Sequence, residues 1–124
     1  MSLVRVAQPC CLGLLPSILL IALAGTLGGG EVWAGEVGVP IEVILKDHHF
    51  TPAEIPVTAR QATVLRITNQ DQEPEEFEMR QLAIERVILP GGTAEVRLRP
   101  LGPGRYNFIG EFHSDSAQGT IVAE

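Results

Sequence analysis

The chain has 124 residues and a formal net charge of −6, from nine basic and fifteen acidic side chains. This length suits one domain of ordinary size and excludes a large enzyme with a deep cleft. The acidic balance argues against nucleic acid as a partner, because phosphate binding needs clustered Lys and Arg and the sequence contains a single Lys.

The first 34 residues are typical of a cleaved export signal. Arg5 supplies the positive start, an almost unbroken apolar run covers residues 11–28, and Val32 and Ala34 are small side chains suited to a cleavage site. An uncleaved membrane anchor is the alternative, but the run is at the lower edge of the length that spans a bilayer. We therefore expect an exported protein whose mature domain covers residues 35–124.

Both cysteines, Cys10 and Cys11, lie within this signal. The mature domain therefore has no thiol, so it has neither a disulfide framework nor a thiolate metal ligand. A metal site in this domain would have to use other donors.

The mature part of the sequence predicts an all-β fold, a sandwich of about seven to eight short strands. Short apolar or alternating runs recur between Gly, Pro, Asn and Asp, which is typical of a sandwich or small barrel. The clearest run alternates Ala94, Val96 and Leu98 with charged residues. In chain order the predicted strands contain 41–45, 55–57, 64–69, 77–79, 86–89, 93–99, 106–108 and 119–123, and only 81–85 is expected to form a helical turn.

The order of the loops predicts that one end of the sandwich carries a functional site. If successive strands run antiparallel, the connecting loops alternate between the two ends. One end, which we call the histidine pole, then receives loops 46–50, 70–75, 90–92 and 110–118. It gathers His48, His49, His113, Asp47, Asp71, Glu73, Glu75, Glu111 and Asp115, whereas Glu85 is the only acid in the opposite loops. Loops on a rigid scaffold commonly carry function, so this segregation indicates a site.

Imidazole nitrogen combined with carboxylate oxygen suits a divalent or trivalent transition ion. Glu111 and His113 would point the same way if a strand continued through them, so that one ion could contact both. Alternation lets only one of His48 and His49 face the site. The structural alternative is that His113 hydrogen-bonds its own loop and that the acids of residues 70–78 form a solvated face.

The mature chain resembles the cupredoxin family. Residues 50–57 are similar to the family's Phe-x-Pro segment and second strand, and residues 103–122 are similar to its Pro-Gly-x-Tyr strand and closing Gly-x-Ile-Val. The resemblance implies that Glu75 stands where cupredoxins place their first copper histidine, that His113 is the later histidine, and that His48 lies in a loop near the metal. Gly110 stands where the blue-copper Cys belongs, and Gln118 roughly where the Met belongs. Without the thiolate, a blue copper site is excluded.

One branch of the family, the EfeO-type cupredoxin-like domains, is the most similar. Gly110-Glu111-Phe112-His113 carries most of this likeness, and residues 76–78, 90–92 and 117–119 add to it. Those domains lack the blue-copper Cys and belong to periplasmic components of bacterial iron uptake, some of them small proteins beside a membrane iron permease. The resemblance therefore implies a metal-binding accessory of iron uptake that handles copper or iron.

The predicted metal ligands are Glu75, Glu111 and His113, followed by His48, Glu76 and Glu78. Two other functions stay open. One is a non-blue copper ferroxidase in the same uptake route, which would oxidise Fe(II) faster than free copper does. The other is a metal-free module that docks on a membrane transporter. In that case no metal ion would raise the thermal unfolding midpoint of the protein.

Overall fold

The computed structural model describes residues 38–124, and the predicted signal, residues 1–34, lies outside them. This part of the chain forms nine strands: β1 (Ile41–Lys46), β2 (His49–Thr51), β3 (Glu54–Val57), β4 (Thr63–Asn69), β5 (Glu75–Met79), β6 (Ile84–Ile88), β7 (Thr93–Leu98), β8 (Gly104–Gly110) and β9 (Gln118–Ala123). Two short 3-10 helices, Arg80–Leu82 and Glu111–His113, follow β5 and β8. Within residues 38–124, no helix has the length and apolar character that crossing a membrane requires.

The strands form two sheets, with the orders β2-β1-β4-β7 and β3-β9-β8-β5-β6. The predicted all-β sandwich is thereby confirmed. Strand β7 shows why these residues form strands: Val96 and Leu98 are buried, whereas Glu95 and Arg97, which alternate with them, are exposed. On the outer face Arg66 lies opposite Glu95 in the register and donates a hydrogen bond to it at 3.1 Å.

The core lies between the two sheets. Phe50, Phe77 and Phe108 meet there, with ring centroids 5.1 to 6.1 Å apart. All three are buried, and each contributes about 2–3 kcal/mol by leaving water. This packing gives the histidine pole a rigid base.

Two strand pairings bring the functional loops together. β1 runs parallel to β4 with Leu45 opposite Asn69, so the chain leaves both strands at the same pole. β8 runs antiparallel to β5 with Phe77 opposite Gly110, so the residues after Gly110 lie beside Glu75, the first residue of β5. The loops after β1, β4 and β8 therefore converge at the histidine pole.

The structure differs from the sequence prediction in three places. The sequence prediction has no strand at β2 and places residues 46–50 in a loop. The three residues of β2 are too few to show the alternation that predicts a strand. The helical turn expected within 81–85 lies at Arg80–Leu82, and β6 already begins at Ile84. The expectation that a strand continues through Glu111 and His113 is wrong: β8 ends at Gly110, and a 3-10 helix follows.

Candidate metal centre

A strained two-residue turn between β1 and β2 carries His48. Asp47 and His48 have φ angles of 50° and 58°, in the left-handed region that costs a non-glycine residue about 1–2 kcal/mol. Asp71 holds this turn in place, because its Oδ1 accepts the N–H of Asp47 at 2.6 Å and its Oδ2 accepts the N–H of His48 at 2.9 Å. Positive φ angles at both residues are those of the two-residue turns that commonly join antiparallel strands, and here they place His48 at the histidine pole.

Asp71 is held in its ionised form. Burial acts to raise the pKa of Asp71, but the N–H groups of His48 and Asp47, together with the nearby imidazoles, outweigh burial and lower this pKa below its ordinary value. Its Oδ2 also lies 3.6 Å from Nδ1 of His48. Asp71 therefore supports both the backbone and the ring of His48.

Buried Asn69, the last residue of β4, fixes the loop that follows it. Its Nδ2 donates to the carbonyls of Glu73 at 2.8 Å and Ile88 at 3.0 Å, and its Oδ1 accepts the N–H of Asp71 at 2.9 Å. A buried amide with three partners loses little by leaving water and specifies one loop conformation. The positions of Asp71 and Glu73 therefore depend on Asn69.

Glu75 supports His113. Its side chain is only 2% exposed, and its Oε2 lies 2.7 Å from Nδ1 of His113. Its Oε1 accepts the backbone N–H groups of Phe112 at 2.9 Å and Glu76 at 3.1 Å. The hydrogen bond from His113 to Glu75 raises the pKa of His113 above the ordinary 6.5, although burial opposes the shift and the charges of Glu75 and Glu73 assist it.

His48, Glu73 and His113 form a group, which we call the trio, whose ligand atoms all lie within 4.8 Å of one another. Oε2 of Glu73 is 3.2 Å from Nε2 of His113 and 3.8 Å from Nε2 of His48. The two imidazoles stack with their centroids 3.6 Å apart and their planes 20° apart. The side chains are 37%, 64% and 27% exposed in chain order, so ions can enter from solvent. The trio presents two imidazole nitrogens and one carboxylate oxygen as candidate ligand atoms, and because the rings stack, one ring would have to turn before both lone pairs could meet a single ion.

The trio contains two of the six predicted ligands, His113 and His48. It also contains Glu73, which sequence reasoning gathered at the histidine pole but did not propose as a ligand. His49 instead lies exposed, with its Nδ1 2.6 Å from the carbonyl oxygen of Asp47. The structure thus places His48, and not its neighbour, beside His113.

The other four predicted ligands lie outside the trio, and their role as ligands stays a prediction. Glu75 contacts the opposite nitrogen of His113, as described above. Glu76 and Glu78 alternate with core residues on β5, and Oε1 of Glu78 accepts a hydrogen bond from Nε of Arg80 at 2.9 Å. Burial raises the pKa of Glu76, and the charges of Glu111, Glu85, Glu78 and Glu75 add to that rise. Glu111 itself is exposed at the start of its 3-10 helix.

Gly110 provides the space that the Glu75 carboxylate occupies. A Cβ at position 110 would lie 2.6 Å from Cδ of Glu75 and 2.6 Å from Cβ of Ala117. A side chain at this position and the Glu75 carboxylate are therefore mutually exclusive in this backbone.

The comparison with protein families identifies the fold. The model of the cupredoxin-like domain matches residues 17–123. The chain belongs to the cupredoxin-like domain family. This cupredoxin-like protein is also 38% identical over 82 residues to the uncharacterized protein RP394 of Rickettsia prowazekii (strain Madrid E). That match covers 66% of each protein, so the chain spans about two thirds of this relative's length.

Solved structures with the same fold include copper-binding proteins. The metal-binding domain of the Cu(I)-exporting P-type ATPase CopA of Streptococcus pneumoniae D39, solved with Cu(I), is 15% identical with a TM-score of 0.62, covering 68% of this chain and 84% of that one. Auracyanin A, a blue copper protein of Chloroflexus aurantiacus, is 19% identical with a TM-score of 0.61, covering 69% of this chain and 98% of that one. These likenesses confirm the predicted cupredoxin-like sandwich, while membership of the EfeO-type branch stays a prediction.

Proposed function

We propose that this cupredoxin-like protein is an exported, periplasmic accessory of iron uptake that binds a transition-metal ion through His48, Glu73 and His113. The convergence of two imidazole Nε2 atoms on one carboxylate oxygen, at 3.2 and 3.8 Å, carries the proposal. The surrounding structure supports it, because Asp71 holds the strained turn of His48 and Glu75 holds the ring of His113.

The donor set indicates which ions the site takes. Two imidazole nitrogens and one carboxylate oxygen suit Cu(II), Fe(II), Fe(III) and Zn(II), and among divalent ions the affinity for such donors is highest for Cu(II). Residues 38–124 contain no Cys, and their single Met, Met79, is buried in the core. We therefore expect a copper-loaded protein without the intense blue colour of a copper–thiolate site.

Export and iron uptake are supported by the sequence. The pattern of residues 1–34 is typical of a signal peptide, and Gly110-Glu111-Phe112-His113 is similar to the EfeO-type domains of iron uptake. Deleting the gene in its host tests this part of the proposal. We expect slower growth of the deletion strain under iron limitation and normal growth in iron-replete medium; equal growth in both media would contradict the assignment to iron uptake.

The binding site is tested by titrating the purified protein with Cu(II), Zn(II), Fe(II) and Fe(III). We expect the wild-type protein to bind at least one ion at a ratio of one per chain and to gain thermal stability, because an ion that binds the native state raises its midpoint. His113→Ala should lower the affinity about 100-fold or more, beyond the 10–100-fold typical for loss of an outer-sphere partner.

His49→Ala is the matched control, because it removes the neighbouring imidazole from outside the trio. It should bind with wild-type affinity. If no ion raises the midpoint of the wild-type protein, the metal site is wrong and the docking alternative is favoured.

Metal affinity should fall as the pH falls through the raised pKa of His113. A metal ion binds only the neutral imidazole, so protons compete with it. Because Glu75 raises this pKa above 6.5, the competition begins at a higher pH than for an ordinary imidazole. Below the pKa of His113 each pH unit should cost about a tenfold loss of Zn(II) affinity, measured by calorimetry between about pH 5.5 and 8.5. An affinity that stays flat down to pH 6.5 would contradict this prediction.

A further inference from the structure

Glu75 binds the nitrogen of His113 that faces away from the trio. Its Oε2 lies 2.7 Å from Nδ1, whereas Nε2 of the same ring lies 3.2 Å from Glu73 in the trio. An ionised carboxylate can only accept hydrogen bonds. With this partner, Nδ1 carries the imidazole proton, and Nε2, which lies 3.2 Å from Glu73, keeps the lone pair that can bind a metal ion.

The Glu75 carboxylate has little freedom to move. Oε1 accepts two backbone N–H groups, from Phe112 and Glu76, which leaves Oε2 for the imidazole. The carboxylate also occupies the space beside Gly110, where a Cβ would lie 2.6 Å from its Cδ. Two backbone donors and tight packing therefore hold the Glu75 carboxylate in one position beside Nδ1 of His113.

We propose that Glu75 is the positioning residue of the metal site and that, through it, the site favours Cu(II) over Cu(I); this inference rests on the proposed function. Glu75 fixes the tautomer and the orientation of His113 without contacting the ion. It also places a carboxylate one imidazole away from the ion, and the charge of a carboxylate acts about twice as strongly on a doubly charged cation as on a singly charged one.

Two further features of the site act in the same direction. Asp71 and Glu73 bring the number of carboxylates around the two imidazoles to three, of which Asp71 lies 3.6 Å from His48. Cu(I) is best held by soft sulfur donors, and the one sulfur atom of residues 38–124, in Met79, is buried in the core. The carboxylates and the imidazole nitrogens around the site therefore stabilise a divalent copper ion more than a monovalent one.

The tautomer is tested without metal by recording the ¹⁵N shifts of the histidine rings at a pH at which imidazole is neutral. We expect His113 of the wild-type protein to be protonated at Nδ1, and Glu75→Gln to lose this strong preference. Glu85→Gln is the matched control, since it removes an exposed carboxylate at the opposite end of the sandwich and should leave the tautomer unchanged. Protonation of wild-type His113 at Nε2 would overturn the inference, and this measurement needs no variant to fold.

The selectivity is tested by measuring Cu(II) and Cu(I) affinities of the same three proteins in competition with chelators. If Glu75→Gln lowers Cu(II) affinity about 100-fold, it should lower Cu(I) affinity only about tenfold, because the lost charge acts on one elementary charge instead of two. Equal losses of affinity for Cu(II) and for Cu(I) would overturn the proposed preference for Cu(II). No binding of copper by the wild-type protein would overturn the proposed function, whereas normal binding with the wrong tautomer would overturn this inference alone.

Discussion

Gly110→Ala is expected to destabilise the domain by about 3 kcal/mol, the sum of overpacking and of disturbing a buried hydrogen-bonded carboxylate. The new Cβ would lie 2.6 Å from Cδ of Glu75 and from Cβ of Ala117. Glu75 cannot move aside cheaply, because it would lose its bonds to Phe112, Glu76 and His113. Since a small domain has only about 5–15 kcal/mol of stability in total, chemical denaturation should detect the loss easily.

Gly102→Ala is the matched control for this substitution. Its Cβ would meet nothing closer than 3.7 Å, the hydroxyl of Tyr106, so its free energy of unfolding should stay within about 0.5 kcal/mol of wild type. Combining Gly110→Ala with Ala117→Gly should recover part of the loss, because one of the two close contacts disappears while the contact with Glu75 remains. A Gly110→Ala protein as stable as the Gly102→Ala protein would show that Glu75 is free to move.

The close contact between position 110 and Glu75 also bears on the difference from a blue copper site, which needs a Cys. Gly110 stands where the sequence comparison expects the copper-binding Cys, and the space of that side chain is taken by a carboxylate that holds His113. Introducing Cys at position 110 would therefore displace Glu75 before it could bind copper. The contact between Gly110 and Glu75 therefore leaves no space in this backbone for a thiolate donor at position 110.

His48→Gly is expected to weaken metal binding strongly while leaving the fold intact. The substitution removes one imidazole of the trio, so the affinity should fall about 100-fold or more. Glycine adopts the φ of 58° found at this position without steric cost, and this relief offsets the lost stacking on His113 and the entropy that glycine adds to the unfolded chain. We expect the free energy of unfolding to stay within about 1 kcal/mol of wild type.

This separation of binding from stability distinguishes a functional histidine from a structural one. Calorimetric titration and denaturation of His48→Gly should be compared with Asp47→Gly, which relieves the same kind of strain at a φ of 50° but keeps the trio. Asp47→Gly should bind metal normally. Loss of stability by several kcal/mol in His48→Gly without a change in affinity would mean that His48 is a structural residue.

The sequence predicted the sandwich because the strands follow simple periodicities. Val96 and Leu98 alternate with charged residues, and the order of the loops brought all three histidines to one pole before any contact was known. β2 escaped detection because its three residues are too few to establish a period. Local pattern therefore determines the class of fold and the end of the fold that carries the candidate site.

The sequence did not determine which carboxylate joins the histidines. The resemblance placed Glu75 in the ligand set, yet Glu75 shares its face of β5 with the buried residues Phe77 and Met79. That spacing was visible in the sequence and could have indicated that Glu75 is buried, while its role as a ligand stays a prediction. The position of Glu73 beside the histidines could not be predicted from such a pattern. It depends on the hydrogen bonds that Asn69 donates to the carbonyls of Glu73 and Ile88.

The X-ray absorption spectrum of the Cu(II)-loaded protein tests the central claim most directly. If His48, Glu73 and His113 hold the ion, the spectrum will show two imidazole ligands, the remaining donors will be oxygen, and His48→Gly will retain one imidazole. A sulfur ligand, or a first shell of oxygen alone, would contradict the assignment of the site to the trio.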